Sequence, residues 1–106
     1  MFETFSYSTS KAAVHHLTRH LAKRLVGENI LVNAIAPGPY PSNMLGSAVA
    51  HDYSEIAASN PRKRVGTPED IAGLVIFLCS RAGAYTVGET ITTDGGLVKT
   101  SGHNLG

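Results

Sequence analysis

The segment Ile30-Leu31-Val32-Asn33-Ala34-Ile35-Ala36 constrains the fold of this chain more than any other stretch. It is short, mostly apolar and does not alternate cleanly between apolar and polar residues. A strand with one wet face alternates, whereas a strand buried on both faces does not. The segment therefore predicts a strand inside a parallel sheet. A second strand is expected over Glu89-Thr90-Ile91-Thr92-Thr93, closed by Asp94-Gly95-Gly96. A strong helical signal lies between the two, and strands joined by a helical crossover run parallel and right-handed. Two such strands alone leave both faces and both edges uncovered. The expectation is an α/β protein in which residues 1–106 supply about half of the fold, as one portion of a single domain. Met1 is followed within six residues by the most distinctive motif of the chain, which also suggests a fragment or a truncated product.

The helices can be placed from periodicity and caps. Val14, Leu17, Leu21 and Leu25 form one apolar stripe at 100° per residue, which predicts a helix from about Tyr7 to Val26. Arg19 and Lys23 fall on the opposite side, Arg24 suits the helix C-terminus, and Gly27 is placed to cap it. Thr67-Pro68-Glu69-Asp70 reads as a helix start: Thr67 caps, Pro68 takes the first position and the acids favour the positive end of the dipole. Ile71, Leu74, Val75, Leu78 and Cys79 then make a stripe that Ile76 and Phe77 widen, so this helix is expected to be mostly buried, ending at Gly83. Cys79 is expected to be a small core residue, with no neighbour to activate a thiol. Residues 44–59 carry a weaker pattern in Leu45, Ala48, Val49, Tyr53 and Ile56. That segment reads either as a lid or as an ordinary surface helix ended by Asn60-Pro61. The tail from Leu97 to Gly106 is polar and glycine-containing and is expected to be loose unless a partner holds it.

Composition excludes several functions. A net charge of +1 on 106 residues offers nothing for nucleic acid, and the short basic run Arg62-Lys63-Arg64 is expected to be solvated. One cysteine makes neither a disulfide framework nor a cysteine-rich metal site. No apolar run reaches membrane-spanning length, and no basic region followed by an apolar core marks a secretory leader. The expected location is cytoplasmic, with a mitochondrial one left open. His16 and His20 have the i, i+4 spacing of helical metal ligands. No carboxylate or third ligand accompanies them, and Arg19 and Lys23 would repel a cation, so the sequence assigns no metal and reads the pair as a solvent or subunit contact.

Tyr7-Ser8-Thr9-Ser10-Lys11 carries the candidate chemistry. Residues four apart stack on one helical face. A nearby ammonium favours phenolate and lowers a tyrosine from its reference of about 10 towards working pH. Such a phenol can protonate a carbonyl oxygen as hydride arrives, or remove an alcohol proton in reverse. Tyr-x-x-x-Lys also arises by chance in many proteins. Lys11 at the margin of the apolar stripe needs a partner or a ligand, or else snorkels with its stem buried. Pro37-Gly38-Pro39, then Tyr40-Pro41-Ser42-Asn43, follow the first strand at its carboxyl end, where ligands bind in open α/β sheets. Gly38 would let the backbone come close to a ligand, and the plain alternative is a turn.

Together these residues resemble the short-chain dehydrogenase/reductase family, with the flavour of its 3-oxoacyl reductase-like branch. Four pieces carry the likeness in order: Tyr7-x-x-x-Lys11 with Ala12-Ala13; Val32-Asn33-Ala34-Ile35-Ala36-Pro37-Gly38; Arg64-x-Gly66-Thr67-Pro68-Glu69-Asp70-Ile71-Ala72; and Gly88-Glu89-x-Ile91-x-x-Asp94-Gly95-Gly96. The resemblance implies the C-terminal half of a Rossmann-type, doubly wound parallel sheet and NAD(P)-dependent transfer between a small carbonyl and an alcohol. It implies Tyr7 as catalytic acid/base and Lys11 as the residue that tunes it and bonds the nicotinamide ribose. Pro37 and Gly38 would form the nicotinamide-side wall. Tyr40 stands where the family has an aliphatic residue whose backbone meets the carboxamide, and Ser42 where it has a threonine. A homo-oligomer through the Tyr7-bearing helix is implied as well. The family's glycine-rich phosphate loop, its catalytic serine, its relay asparagine and the residue that chooses NAD or NADP have no counterpart here. The alternative is a truncated, inactive chain that acts only as a partner of a full-length homologue.

Overall fold

The computed structural model describes residues 2–41 and 54–100, and the side chains of residues 2–5 and Tyr7 lie outside the description. The chain opens with α1 (Phe2–Leu25), a single 24-residue helix. The Tyr7–Lys11 pentapeptide lies inside this helix and does not begin it, as the sequence suggested. Leu25 leads into a 3₁₀ turn, Val26–Glu28, and Asn29 follows in the left-handed conformation at φ 62°, its N–H bonding the Val26 carbonyl at 3.0 Å. Asn29 therefore closes the helix, and Gly27 does not. Asparagine tolerates this conformation better than other chiral residues.

Strand β1 (Ala34–Pro37) starts four residues later than Ile30, where the sequence placed it. A short helix, α2 (Ser54–Ala58), precedes Asn60-Pro61, and α3 (Pro68–Cys79) keeps the start read from Thr67 and Pro68. After a 3₁₀ turn at Arg81–Gly83 come β2 (Thr90–Thr93) and α4 (Leu97–Thr100). Part of the tail expected to be loose is thus a helical turn. Of the segment 44–59, only the part from Ser54 onward is described.

The two strands form one sheet. The Ala34 N–H donates to the Glu89 carbonyl at 2.8 Å, and further along the Gly38 N–H donates to the Thr93 carbonyl at 3.0 Å. Both positions advance together, so the strands are parallel, as the buried-strand pattern and the helical crossover required. Asn33 holds the ladder's entry: its Nδ2 donates to the Thr86 carbonyl at 2.9 Å, and its Oδ1 accepts from the Glu89 N–H at 3.0 Å.

The described chain divides into two compact units. The first holds Met1–Ile35 and Ile76–Ile91, the second Ala36–Val75 and Thr92–Gly106. In the first unit Thr18 and Ala22 of α1 are buried, and a Cβ added at Gly88 would stand 3.3 Å from that of Ala22. The expected stripe is not what packs: Val14, Leu17 and Leu21 are exposed. Small side chains let the backbone ahead of β2 come against the helix, and that approach selects the Thr18–Ala22 face. Helix α3 likewise buries none of its residues, and Cys79 is exposed, contrary to the core role read for it. Two strands give such an apolar helix too little surface to cover. In the second unit the buried residues are Asn60 and Asp94, both polar.

Candidate functional site

The residues singled out by the sequence fall in both units, and each group has its own setting. Tyr7 and Lys11 belong to the first. They sit one turn apart on the continuous α1 backbone, which keeps both on one face by helical geometry. The hydroxyl of Ser10 donates to the Ser6 carbonyl at 2.9 Å and that of Thr18 to the Val14 carbonyl at 2.8 Å, so both are absorbed within the helix. Lys11 is exposed. Its ammonium therefore escapes the desolvation cost that its place beside an apolar stripe implied, because that stripe is itself exposed.

Pro37, Gly38 and Tyr40 belong to the second unit, and Ser42 lies outside the described residues. Pro37 ends β1 and is exposed. A Cβ at Gly38 would fall 2.4 Å from Cβ and 2.8 Å from Cα of Asp94. The close approach that Gly38 permits is therefore to the end of β2. Tyr40 turns its ring over Gly66, where a Cβ would fall 2.3 Å from the ring, and its hydroxyl shares a 2.7 Å hydrogen bond with that of Thr93. The Gly66 N–H donates to the Pro39 carbonyl at 2.9 Å. Residues 38, 39 and 40 are thus each tied to Thr93, Asp94 or Gly66. The loop has a fixed backbone, and its one large side chain is committed inward.

Beneath this loop lies a network that the sequence did not reveal. A cavity is lined by Tyr40, Arg62, Arg64, Asp70, Thr93 and Asp94 among others. Nη1 of Arg64 donates to Oδ2 of Asp70 at 2.6 Å. The same oxygen accepts from the Thr67 N–H at 2.8 Å and the Thr67 hydroxyl at 3.0 Å, while the Asp70 N–H donates back to the Thr67 hydroxyl at 3.2 Å. This is a reciprocal capping box at the start of α3. Hydrogen bonds from Arg64 first, then from the Thr67 N–H and hydroxyl, hold the Asp70 carboxyl well below the usual carboxylate range. The run at residues 62–64 is therefore more than a solvated face. Lys63 stands at φ 59° with Nζ donating to the Ala58 carbonyl at 3.1 Å. Asn60 donates to the Arg64 carbonyl at 3.0 Å, and its buried Oδ1 has no hydrogen-bond partner. Asp94 accepts from the Gly96 N–H at 2.9 Å and the Val98 N–H at 3.0 Å. The Asp-Gly-Gly signature is thus a local cap, with Gly95 and Gly96 at φ 69° and 92°.

Taken unit by unit, a phenol and an ammonium one helical turn apart are the residue types that suit a carbonyl oxygen and hydroxyl groups, and the tied backbone at Pro37 and Gly38 is of a kind that suits an amide. Nothing in the sequence supplies a glycine-rich cradle for the pyrophosphate. Among the described residues no group of three His, Cys, Asp or Glu could hold a metal, and no helix is long and apolar enough to cross a membrane.

Comparison with known proteins agrees with the motif order. A family model described as enoyl-(acyl carrier protein) reductase matches residues 2–98. The rhamnolipids biosynthesis 3-oxoacyl-[acyl-carrier-protein] reductase of Pseudomonas aeruginosa is 48% identical over 97 residues, which cover 89% of this chain and 38% of that protein. The 3-oxoacyl-[acyl-carrier-protein] reductase FabG of Aquifex aeolicus is 41% identical over 95 residues, 87% of this chain and 37% of its own length. Among solved structures, the Pseudomonas aeruginosa RhlG/NADP active-site complex superposes with a TM-score of 0.80 at 49% identity, over 88% of this chain and 38% of that one. The chain thus spans well under half the length of the relatives it matches.

Proposed function

The chain belongs to the short-chain dehydrogenase/reductase family, and from that premise we propose that it forms the C-terminal portion of a single catalytic domain that interconverts a small carbonyl compound and its alcohol. The observation that carries this reading is the Tyr7–Lys11 pair, one turn apart on the unbroken α1 helix. The proposed cofactor is NADP or NAD. Relatives described with NADP or as 3-oxoacyl reductases support the cofactor and substrate class.

When bound, the cofactor supplies or accepts the hydride. The rest falls to the chain. The Tyr7 hydroxyl donates its proton to the carbonyl oxygen as that oxygen gains charge, and in the reverse direction the phenolate takes the alcohol proton. The Lys11 ammonium lowers the cost of the transient phenolate and offers hydrogen bonds to ribose hydroxyls. The backbone of Pro37, Gly38 and Tyr40 would hold the nicotinamide side of the cofactor, and Ser42 is assigned to the same role from the sequence. Tyr40 contributes its main chain there, since its side chain is engaged by Thr93 and Gly66.

The test compares Tyr7→Phe with the unmodified chain, for NADPH- and NADH-dependent reduction of a carbonyl panel and for cofactor binding by nicotinamide fluorescence. Loss of turnover by about a hundredfold or more with binding retained is expected. Turnover that survives the substitution refutes the role of Tyr7. Absence of binding and turnover in the unmodified chain overturns activity of residues 1–106 by themselves and favours the alternative, an inactive chain that acts as an interaction partner.

A further inference from the structure

Pro37, Pro39 and Pro41 alternate with Gly38 and Tyr40 in the loop after β1. Proline has no N–H, so only Gly38 and Tyr40 bring backbone donors to this stretch. The Gly38 N–H is spent on the Thr93 carbonyl at 3.0 Å. Among the described residues the Tyr40 N–H meets no acceptor, which leaves it as the loop's donor for a ligand. Its direction is that of the Tyr40 backbone, and this backbone is tied through the side chain. The hydroxyls of Tyr40 and Thr93 lie 2.7 Å apart, and both residues are half-buried. The Tyr40 ring fills the space that a Cβ at Gly66 would need, 2.3 Å from its nearest ring atom. The Gly66 N–H in turn donates to the Pro39 carbonyl at 2.9 Å, next to the backbone that carries the ring. The three residues match: Gly66 leaves room for the ring, Thr93 meets its hydroxyl, and Tyr40 joins the two.

We infer that Thr93 and Gly66 are positioning residues: acting through the Tyr40 side chain, they fix the backbone of residues 38–40 and with it the aim of the Tyr40 N–H. The inference rests on the reading that this loop holds the nicotinamide side of the cofactor. The aliphatic residue that the family resemblance places at this position fills space but offers no hydrogen bond. A phenol adds one directional contact, and direction is what fixes a ring. A cavity beside the loop, lined by Tyr40, Thr93 and Gly66 among others, leaves the ring room to swing once that contact is lost. Deleting either hydroxyl breaks the same bond and leaves the other hydroxyl half-buried without its mate. A loop already held in its binding geometry is spared the cost of ordering when the ligand arrives, so the clamp is expressed as affinity.

The test has one readout without cofactor and one with it. Amide hydrogen exchange is followed by magnetic resonance in the parent chain, Tyr40→Phe, Thr93→Val, the double variant, Thr93→Ser and Thr92→Val. Protection of the Gly38 and Gly66 N–H groups should fall by about threefold to tenfold in either single deletion and no further in the double variant, because both remove one bond. Thr93→Ser, which keeps the hydroxyl, should restore it. Thr92→Val makes the same change on the opposite face of β2 and should behave as the parent. The Glu89 N–H, held by Oδ1 of Asn33, should exchange alike in every variant. NADPH and NADH are then titrated into the same proteins by nicotinamide fluorescence, and Kd should rise by about threefold to tenfold wherever protection was lost and recover in Thr93→Ser. Equal loss of protection at Glu89, or additive losses in the double variant, overturns the clamp. Unchanged Kd in variants of a parent that binds overturns the positioning role and leaves the cofactor reading standing. A parent that binds neither nucleotide overturns cofactor binding by residues 1–106 by themselves, and the positioning role with it.

Discussion

Gly38 shows how a residue can be flagged for one reason and constrained by another. Its place after a buried strand suggested backbone approach to a ligand. The structure fills the space where its side chain would stand with Cβ and Cα of Asp94, at 2.4 and 2.8 Å from the added atom. Backbone cannot yield as a flexible side chain can, so the strand ends would have to part. Gly38→Ala is expected to destabilise the chain by about 1–3 kcal/mol, read by thermal or urea denaturation. An unchanged Tm would mean that the strand ends tolerate the methyl group. Asn60 and Arg64 were invisible as single residues. An asparagine before a proline reads as a helix stop, and a basic tripeptide reads as solvated. Their partners, the Arg64 carbonyl for Asn60 and Asp70 for Arg64, lie within six residues. The loop between had to turn, through Lys63 at positive φ, before either contact could form.

Helix α3 is the element whose start was most legible, because its signals are local; its end was not, since the helix stops at Cys79 and Gly83 instead closes the 3₁₀ turn that follows. Thr67, Pro68 and Asp70 occupy the cap, the first position and the third, and the capping box uses both. Arg64 adds a tertiary clamp to the same carboxylate. Asp70 is held low chiefly by Arg64, so its ionised form is stabilised by folding. A lowered carboxyl adds stability above the unfolded reference of about 3.9, and that stability is lost as pH falls through the lower folded value. Asp70→Asn keeps one acceptor for the cap and removes the charge. It should lower Tm at neutral pH, and the gap from the parent chain should begin to close below about pH 4. A gap constant from pH 7 to pH 2 would count against the clamp. The strands were legible in kind but not in extent. Their hydrogen-bonded length depends on the partner segment, and the 3₁₀ turn and Asn29 delay the entry to β1.

At the scale of the whole molecule, apolar exposure is the dominant fact. Leu17 and Val14 of α1 are 55% and 52% exposed and Ile76 of α3 is 66% exposed. A monomer with much apolar surface tends to associate. At tens of micromolar the purified chain should bind a hydrophobic dye and sediment as more than a monomer. The double variant Leu17→Gln, Ile76→Gln should reduce both effects. A dye-silent, monodisperse monomer with a sharp melt would refute this and weaken the half-fold expectation drawn from the strand pattern. The same exposure explains why the buried face of α1 was misread. Periodicity reports which side of a helix is apolar, and packing decides which side is covered. Here the backbone near Gly88 comes against the small residues of α1, beside Ala22.

The sequence by itself determined the α/β class, the parallel pair of strands, the start of α3 and the family, because these rest on local patterns: the lack of alternation, cap residues, turn glycines and motif order. It also placed Tyr7 and Lys11 on one helical face, since 3.6 residues per turn permits little else. Only the tertiary structure decided which face of α1 is buried, that Asp94 rather than a ligand occupies the space beside Gly38, that Arg64 belongs to Asp70, and that the hydroxyls of Tyr40 and Thr93 meet. Each of these depends on how side chains and segments come to rest against one another, which periodicity and spacing do not encode.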